Sequence, residues 1–275
     1  PARSCRHRVS DPQDAGVTAD ADFNPHSLTE QDFLDEVHSF QFWFDSVEGY
    51  LTDRVYGKLD STVEEEIDDA RRERLITTLC NYAVGETAAL EGSAGLVRIA
   101  PDRNSKIFMA TQVADEARHL EVFLHRLREL GVVDPESEIE RRAQPALVDF
   151  KGSLLELVSE GDWQAAVFAQ NVILESMEYT VFRVHAATAD AVTKDVLAGV
   201  ISDERRHAGF GENDLGRSLA TDPSGRRRLR EIRSHLDPMV LGVFEAALDD
   251  VGALAPERSR IAGEYLETVE RLGLT

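Results

Sequence analysis

The chain has 275 residues, of which 51 are acidic and 30 basic, so its formal charge is −21. This charge argues against nucleic acid or an anionic membrane surface as a partner, because both would repel it. Two cysteines cannot build a disulfide framework, and no apolar run approaches the roughly 18–20 residues of a membrane span. A reduced, cytoplasmic setting is therefore expected.

Helical periodicity runs through almost the whole chain, and no alternating strand pattern stands out. Residues 1–26 are polar with scattered charges and are predicted to be a flexible leader. Residues 27–275 lack a linker rich in Gly, Ser or Pro and are predicted to form a single all-α domain. The predicted helices span about 27–51, 63–99, 105–130, 145–158, 161–184, 189–219, 225–248 with an interruption near Asp237-Pro238, and 256–272.

A repeated Asp-Glu-x-x-His unit is the most informative pattern, at 115–119 and again at 203–207. Glu and His three residues apart lie on one face of a helix, about one turn from each other. Glu86 precedes the first repeated Glu by 30 residues, and Glu175 precedes the second by 29. Two helical hairpins related by pseudo-twofold symmetry would bring all these groups to a shared centre, with residues 131–161 as the crossover.

Four carboxylates and two imidazoles suit a pair of divalent first-row metal ions. The carboxylates would balance the charge of the two ions, whereas the same groups buried without metal would be very costly. The alternative is a set of solvated helix glutamates, but the apolar neighbours of Glu86 and Glu175 argue against it. The predicted metal ligands are Glu86, Glu116, His119, Glu175, Glu204 and His207.

Asp115 and Asp203 each precede a candidate ligand. A metal-bound histidine commonly donates its other ring N–H to a carboxylate. Pseudo-symmetry predicts that Asp203 supports His119 and that Asp115 supports His207. The alternative for each aspartate is an exposed helix position.

Glu178 lies one turn after Glu175 on the same face. It is a further candidate ligand, or else a partner for a nearby arginine such as Arg183. Gln112, Phe123 and Phe168 are predicted to line a substrate pocket.

These ligand positions carry a family resemblance over roughly residues 63–219. The chain resembles the ferritin-like di-metal carboxylate superfamily, in particular the ribonucleotide reductase small subunit, the R2-like ligand-binding oxidases and the bacterial multicomponent monooxygenase hydroxylases. The resemblance implies a ferritin-like four-helix bundle with additional N- and C-terminal helices. It also implies activation of O2 or peroxide at two iron ions or at a mixed Mn/Fe centre.

The chain departs from these relatives at several positions. Reductase small subunits usually carry a radical-forming tyrosine where this chain has Phe123, although a subset has phenylalanine there. Ala88 and Gln170 occupy the positions of the Val–Tyr cross-link of the ligand-binding oxidases, so that cross-link cannot form. Tyr179 stands where the hydroxylases often place threonine and the reductases phenylalanine. Its predicted role is catalytic, with lining of the oxygen pocket as the alternative.

The predicted function is an O2-activating di-metal oxidase or oxygenase, such as a monooxygenase, acting on a small organic substrate. The expected partners are O2, that substrate, a separate electron donor (a ferredoxin or a reductase) and a second copy of the chain in a homodimer. The alternatives are a radical protein like the reductase small subunit, a ferritin-type iron store, and a manganese catalase or peroxidase.

Overall fold

The computed structural model describes residues 62–63, 65–252 and 255–275. These residues form helices and turns without a β-strand, which confirms the all-α prediction. In chain order the elements are α1 (Asp69–Ile99), α2 (Arg103–Glu129), α3 (Pro135–Arg142), α4 (Pro145–Ser159), α5 (Trp163–Val167), a π-helical segment (Phe168–Leu174), α6 (Glu175–Ala186), α7 (Ala191–Leu219), α8 (Pro223–Asp250) and α9 (Ala255–Arg271). The predicted leader and the helix predicted at 27–51 lie outside the described residues, so the domain boundary at residue 27 stays a prediction.

Aspartates cap many of these helices. In each case the side-chain carboxylate accepts a hydrogen bond from a backbone N–H in the first helical turn, a donor that has no partner within the helix. The capping residues are Asp68, Asp102, Asp134, Asp162, Asp190 and Asp222. Part of the acidic composition therefore has a structural role.

The helix bounds differ from the predicted ones at three places. The first long helix begins at Asp69 instead of near Val63, because Asp68 caps it. The predicted connector contains α3, which starts with a proline in the first turn, where a missing N–H costs nothing. The interruption predicted near Pro238 is wrong, since α8 continues through it. Leu236 and Val240 are buried on either side of this proline, and their packing offsets the lost backbone hydrogen bond.

Two long helical pairs form the centre of the fold. Helix α1 packs along α2, and the π-helical segment with α6 packs along α7. Helices α4 and α8 pack against this bundle from outside. The arrangement is the predicted ferritin-like four-helix bundle. Within the described ranges, no helix is both long and apolar enough to cross a lipid bilayer.

The π-helical segment leads directly into α6. The backbone N–H of Glu175 donates to the carbonyl of Gln170, five residues earlier. Such wide turns are rare and often occur at functional sites. All seven residues of the segment are buried, so it places polar and apolar side chains inside the bundle.

Gly211 in α7 allows close approach of the π-helical segment. An added Cβ there would lie 2.5 Å from Cβ of Asn171 and 3.1 Å from its carbonyl carbon, whereas one at Gly209 would meet nothing within 4 Å. We expect Gly211→Ala to lower the free energy of unfolding by about 1–3 kcal/mol through overpacking. Gly209→Ala, the matched control, should raise it by about 0.5–1 kcal/mol. Denaturant unfolding measures both, and equal effects would contradict this account of the packing.

Candidate metal centre

Four helices contribute one cluster of buried acidic and imidazole groups. Glu86 comes from α1, Glu175 from the start of α6, and the two Glu–His pairs from α2 and α7. All six side chains predicted as ligands have 0% exposure. The structure therefore brings together every residue of the predicted set.

Each histidine points its Nδ1 atom at three carboxylates. Nδ1 of His119 lies 2.9 Å from Oε1 of Glu204, 3.1 Å from Oε2 of Glu116 and 3.2 Å from Oε2 of Glu86. Nδ1 of His207 lies 3.2 Å from Oε1 of Glu116, 3.3 Å from Oε2 of Glu204 and 3.5 Å from Oε2 of Glu175. Glu116 and Glu204 thus contact both imidazoles.

Ligand atoms from these residues form two overlapping groups. Within each group, all the ligand atoms lie within 4.8 Å of one another. One group contains Glu86 and His119, and the other contains Glu175 and His207. Both groups also contain Glu116 and Glu204. The geometry is that of two adjacent cation sites joined by two shared carboxylates.

The outward nitrogens of the two imidazoles face aspartates. Nε2 of His119 lies 3.5 Å from Asp203, and Nε2 of His207 lies 3.4 Å from Asp115. This is the crossed pairing that pseudo-symmetry predicts. The guanidinium group of Arg118 in turn contacts both aspartates, and that of Arg206 contacts Asp115. With the ring proton held on Nε2, Nδ1 is available to a cation.

The electrostatics of the cluster suit cations. Burial raises the pKa of Glu86 to about 8 and raises the pKa of Glu175 well above its usual range. Burial alone would lower the pKa of His119, but the carboxylates of Glu86 and Glu204 outweigh it and raise that pKa well above normal. Without metal, the groups with raised pKa values keep their protons to higher pH than usual, whereas hydrogen bonds outweigh burial at Glu204 and lower its pKa. Two cations would replace those protons.

Unpartnered oxygen atoms test whether the residues fit a metal pair. One buried carboxylate oxygen on each of Glu86, Glu116, Glu175 and Glu204 makes no well-formed hydrogen bond among the described residues, and three of these oxygens face a histidine Nδ1 atom at 2.9–3.5 Å. Buried polar atoms without a partner are costly and call for an explanation. Carboxylate oxygens and imidazole nitrogens are suitable ligands for iron and manganese, so the residues fit the predicted cofactor.

Side-chain amides surround Glu175, a feature that the sequence analysis missed. Nε2 of Gln112 donates to its Oε1 over 2.7 Å, and Nε2 of Gln170 donates to the same oxygen over 2.6 Å. Nδ2 of Asn171 donates to Oε1 of Gln112 over 2.9 Å. The signal in the sequence was a Gln-Asn pair within the apolar run before Glu175. These amides occupy Oε1 and leave Oε2 facing His207.

The further predicted site residues lie around this cluster. Glu178 is 6% exposed, its Oε2 atom is buried without a hydrogen-bond partner, and its carboxylate lies against Gly85. Burial and the neighbouring Glu86 raise the pKa of Glu178 well above normal. Arg183, its alternative partner, has its guanidinium over the ring of Tyr179, 5.1 Å from the centroid.

Tyr179 and the predicted pocket residues occupy different surroundings. Tyr179 lines a cavity of about 520 Å³ bounded by α8 and α9, and none of the six cluster residues lines it. Phe123 and Phe168 are fully buried, and Phe123 packs against the rings of Tyr82 and Phe182. The catalytic role of Tyr179 stays a prediction, and so does the lining of a substrate pocket by Gln112, Phe123 and Phe168.

A second cavity, of about 720 Å³, borders the cluster through an aromatic pair. Phe108 stacks on Phe210 with ring centroids 3.9 Å apart, and both rings line this cavity together with Trp163. The same Phe108 ring meets His207 edge-on at 6.4 Å. Phe108 thus borders both the cavity and the candidate metal centre.

Comparison with known proteins identifies the family. The family model described as long-chain fatty aldehyde decarbonylase matches residues 79–274. The chain belongs to this family. The matched range contains all six candidate ligands of this fatty aldehyde decarbonylase family member.

Solved structures share the fold of this family member. A Synechococcus protein with aldehyde deformylating oxidase activity superposes with a TM-score of 0.65 at 21% identity, covering 76% of this chain and 93% of that one. A variant of an R2-like ligand-binding oxidase with an aerobically reconstituted Mn/Fe cofactor superposes with a TM-score of 0.61 at 18% identity, covering 76% and 83%. The ferritin-like fold implied by the resemblance is confirmed, and membership in the fatty aldehyde decarbonylase family supports the prediction of an oxidoreductase.

Proposed function

We propose that this protein is an O2-dependent di-metal oxygenase that removes the carbonyl carbon from an aldehyde with an apolar chain. The observation that carries the proposal is the pair of buried ligand groups sharing Glu116 and Glu204, in a chain of the fatty aldehyde decarbonylase family. The ligand spacing in the sequence predicts a di-metal oxidase but does not indicate an aldehyde substrate.

The six cluster residues would hold the two ions, and Glu116 and Glu204 belong to both candidate ligand groups. Two iron ions, or one manganese and one iron, would supply redox equivalents and open coordination positions for O2. The amides of Gln112 and Gln170 fix Oε1 of Glu175, so this carboxylate would bind through Oε2. Glu178 is the candidate for an additional oxygen ligand, because its buried carboxylate has a free Oε2 atom.

The cavity beside Phe108 and Phe210 is the proposed route for the substrate. Phe108, Phe210 and Trp163 give it an aromatic side that suits an alkyl chain, whereas Asp214 and Arg217 belong to its polar side. The ring of Phe108 lies perpendicular to that of His207. The stacked rings would keep bulk water from the cluster while an aldehyde enters past them. A separate one-electron donor, a homodimeric assembly and a cytoplasmic location are parts of the same proposal.

The test loads purified protein with iron, reduces it without air, and adds O2 together with straight-chain aldehydes. We expect O2 consumption that depends on the aldehyde, and a hydrocarbon one carbon shorter than the substrate as product. The matching primary alcohols and carboxylic acids, as control substrates, should give no such product. Oxygen consumption by Glu204→Gln should be lost, because this variant lacks a carboxylate that both candidate ligand groups share.

Three other outcomes would contradict the proposal. Failure of the reduced, loaded protein to consume O2 would exclude an oxygenase. A shell holding many iron ions per chain would support iron storage instead. Disproportionation of H2O2 by the manganese form without aldehyde turnover would favour a catalase.

A further inference from the structure

A buried tyrosine and a buried histidine are hydrogen-bonded beside the candidate metal centre. Oη of Tyr82 lies 3.0 Å from Nδ1 of His185, and the two residues are 6% and 8% exposed. None of the metal-binding roles described above uses either side chain. A buried phenol paired with an imidazole acceptor is suited to proton-coupled oxidation.

Tyr82 is close to the cluster along two helices. On α1 it precedes Glu86 by one turn, a rise of about 6 Å. Its ring packs against Phe123, which follows His119 by one turn on α2, with centroids 5.4 Å apart. The ring of Phe182 covers another side at 4.6 Å. The phenol therefore lies in the apolar layer next to the metal ligands.

His185 is a neutral but weakly basic acceptor. Burial lowers its pKa to about 4, so the ring is neutral near pH 7 and carries a free nitrogen lone pair. Asp190 and Arg71 act on this pKa in opposite directions, and Asp190 would stabilise the imidazolium. His185 also lines a cavity of about 250 Å³ whose lining includes Asp190 and Asp250 as well as Arg71 and Arg74.

Tyr82 cannot release its proton by simple ionisation. Burial, with smaller contributions from the carboxylates of Asp250 and Glu178, raises the pKa of its phenol well above the usual range. Loss of an electron makes a phenol strongly acidic, so oxidation and proton transfer would occur together. The hydrogen bond to His185 provides the path for that proton.

We infer that Tyr82 and His185 form a proton-coupled redox pair that serves the metal centre. Tyr82 gives one electron to the oxidised di-metal centre, its O–H bond breaks, and an N–H bond forms at Nδ1 of His185. The products are a neutral tyrosyl radical and an imidazolium. The external electron donor then reduces the tyrosyl radical by one electron, and the proton returns from Nδ1 of His185 to Oη of Tyr82, which restores the phenol and the neutral imidazole. The oxidant in this step is the metal centre of the proposed function, so this inference rests on that proposal.

The test begins with metal-free protein, so that it does not depend on turnover. A photo-excited ruthenium complex with a sacrificial acceptor oxidises the protein, and electron paramagnetic resonance detects tyrosyl radicals. We expect a long-lived radical that Tyr82→Phe removes and that ring-deuterated tyrosine alters. In His185→Gln the lifetime should fall by about tenfold or more, since the proton acceptor is weaker. Tyr265→Phe is the matched control, because Tyr265 donates to Asp237 on α8.

A radical that persists in Tyr82→Phe, a lifetime unchanged in His185→Gln, or no radical at all would overturn the pair. Circular dichroism checks that both variants fold. Aldehyde turnover by the loaded protein, measured separately, tests the proposed function. Turnover without a Tyr82 radical would refute only the redox pair, and a Tyr82 radical without O2 consumption would refute only the oxygenase.

Discussion

Glu116→Gln and Glu204→Gln are expected to abolish binding of both metal ions, whereas Glu86→Gln and Glu175→Gln should each leave one. Glu116 and Glu204 belong to both ligand groups, so their loss removes a shared carboxylate from each site. Glu86 belongs to one group and Glu175 to the other. Glutamine keeps the shape of the side chain while removing the charge that balances the cation.

Metal analysis after equilibrium dialysis measures this difference. The matched control is Asp203→Asn, which changes the carboxylate that faces Nε2 of His119 and no predicted ligand. It should lower metal affinity by about 10–100-fold and keep full stoichiometry at saturating metal. Equal metal content in all four glutamine variants would contradict the distinction between the carboxylates that belong to both candidate groups and those that belong to one.

The clustering of the six candidate ligands could be predicted because it depends on local spacing along the helices. A Glu and a His three residues apart must share a helix face, and the repeat separated by 88 residues doubled that signal. Glu86 and Glu175 followed from apolar surroundings in which a solvated glutamate is unusual. The pairing of Asp203 with His119 and of Asp115 with His207 followed from the pseudo-twofold symmetry alone.

The amide network around Glu175 could not be predicted in the same way. Gln112 lies 63 residues from Glu175, and only the packed bundle brings the two together. Gln170 and Asn171 point inward because the backbone widens into a π-helical segment there, and no simple sequence period marks such a turn. The hydrogen bond between Tyr82 and His185 spans 103 residues and was equally hidden.

The metal-free protein is expected to become less stable as the pH rises from about 5 to about 8. The folded-state pKa of Glu86 is raised from 4.5 to about 8, because burial disfavours the carboxylate. Below pH 4.5 folded and unfolded chains are both protonated, so this group costs nothing. Between the two pKa values the unfolded chain has lost a proton that the folded chain keeps. Each such proton lowers the free energy of unfolding by about 1.4 kcal/mol per pH unit.

The histidines act in the same direction over part of this range. Burial alone would lower the pKa of His119 and His207, but carboxylates, led by Glu86 and Glu116 respectively, raise both well above 6.5. The stability that their protonated forms contribute is lost as the pH rises through these raised values. Glu204 acts oppositely, since hydrogen bonds outweigh burial and lower its pKa, but its contribution is lost only in acid.

Denaturant unfolding across this pH range, with and without iron, tests the expectation. Metal binding displaces the protons, so the loaded protein should lose the negative slope and bind metal more tightly at higher pH. Glu86→Gln should reduce the slope of the metal-free protein by about one proton, because glutamine cannot titrate. Glu91→Gln is the control on the same helix, where an exposed carboxylate pairs with Lys151. A slope that is unchanged in Glu86→Gln would show that this carboxyl group is ionised in the metal-free fold, and that the cluster tolerates charge without cations.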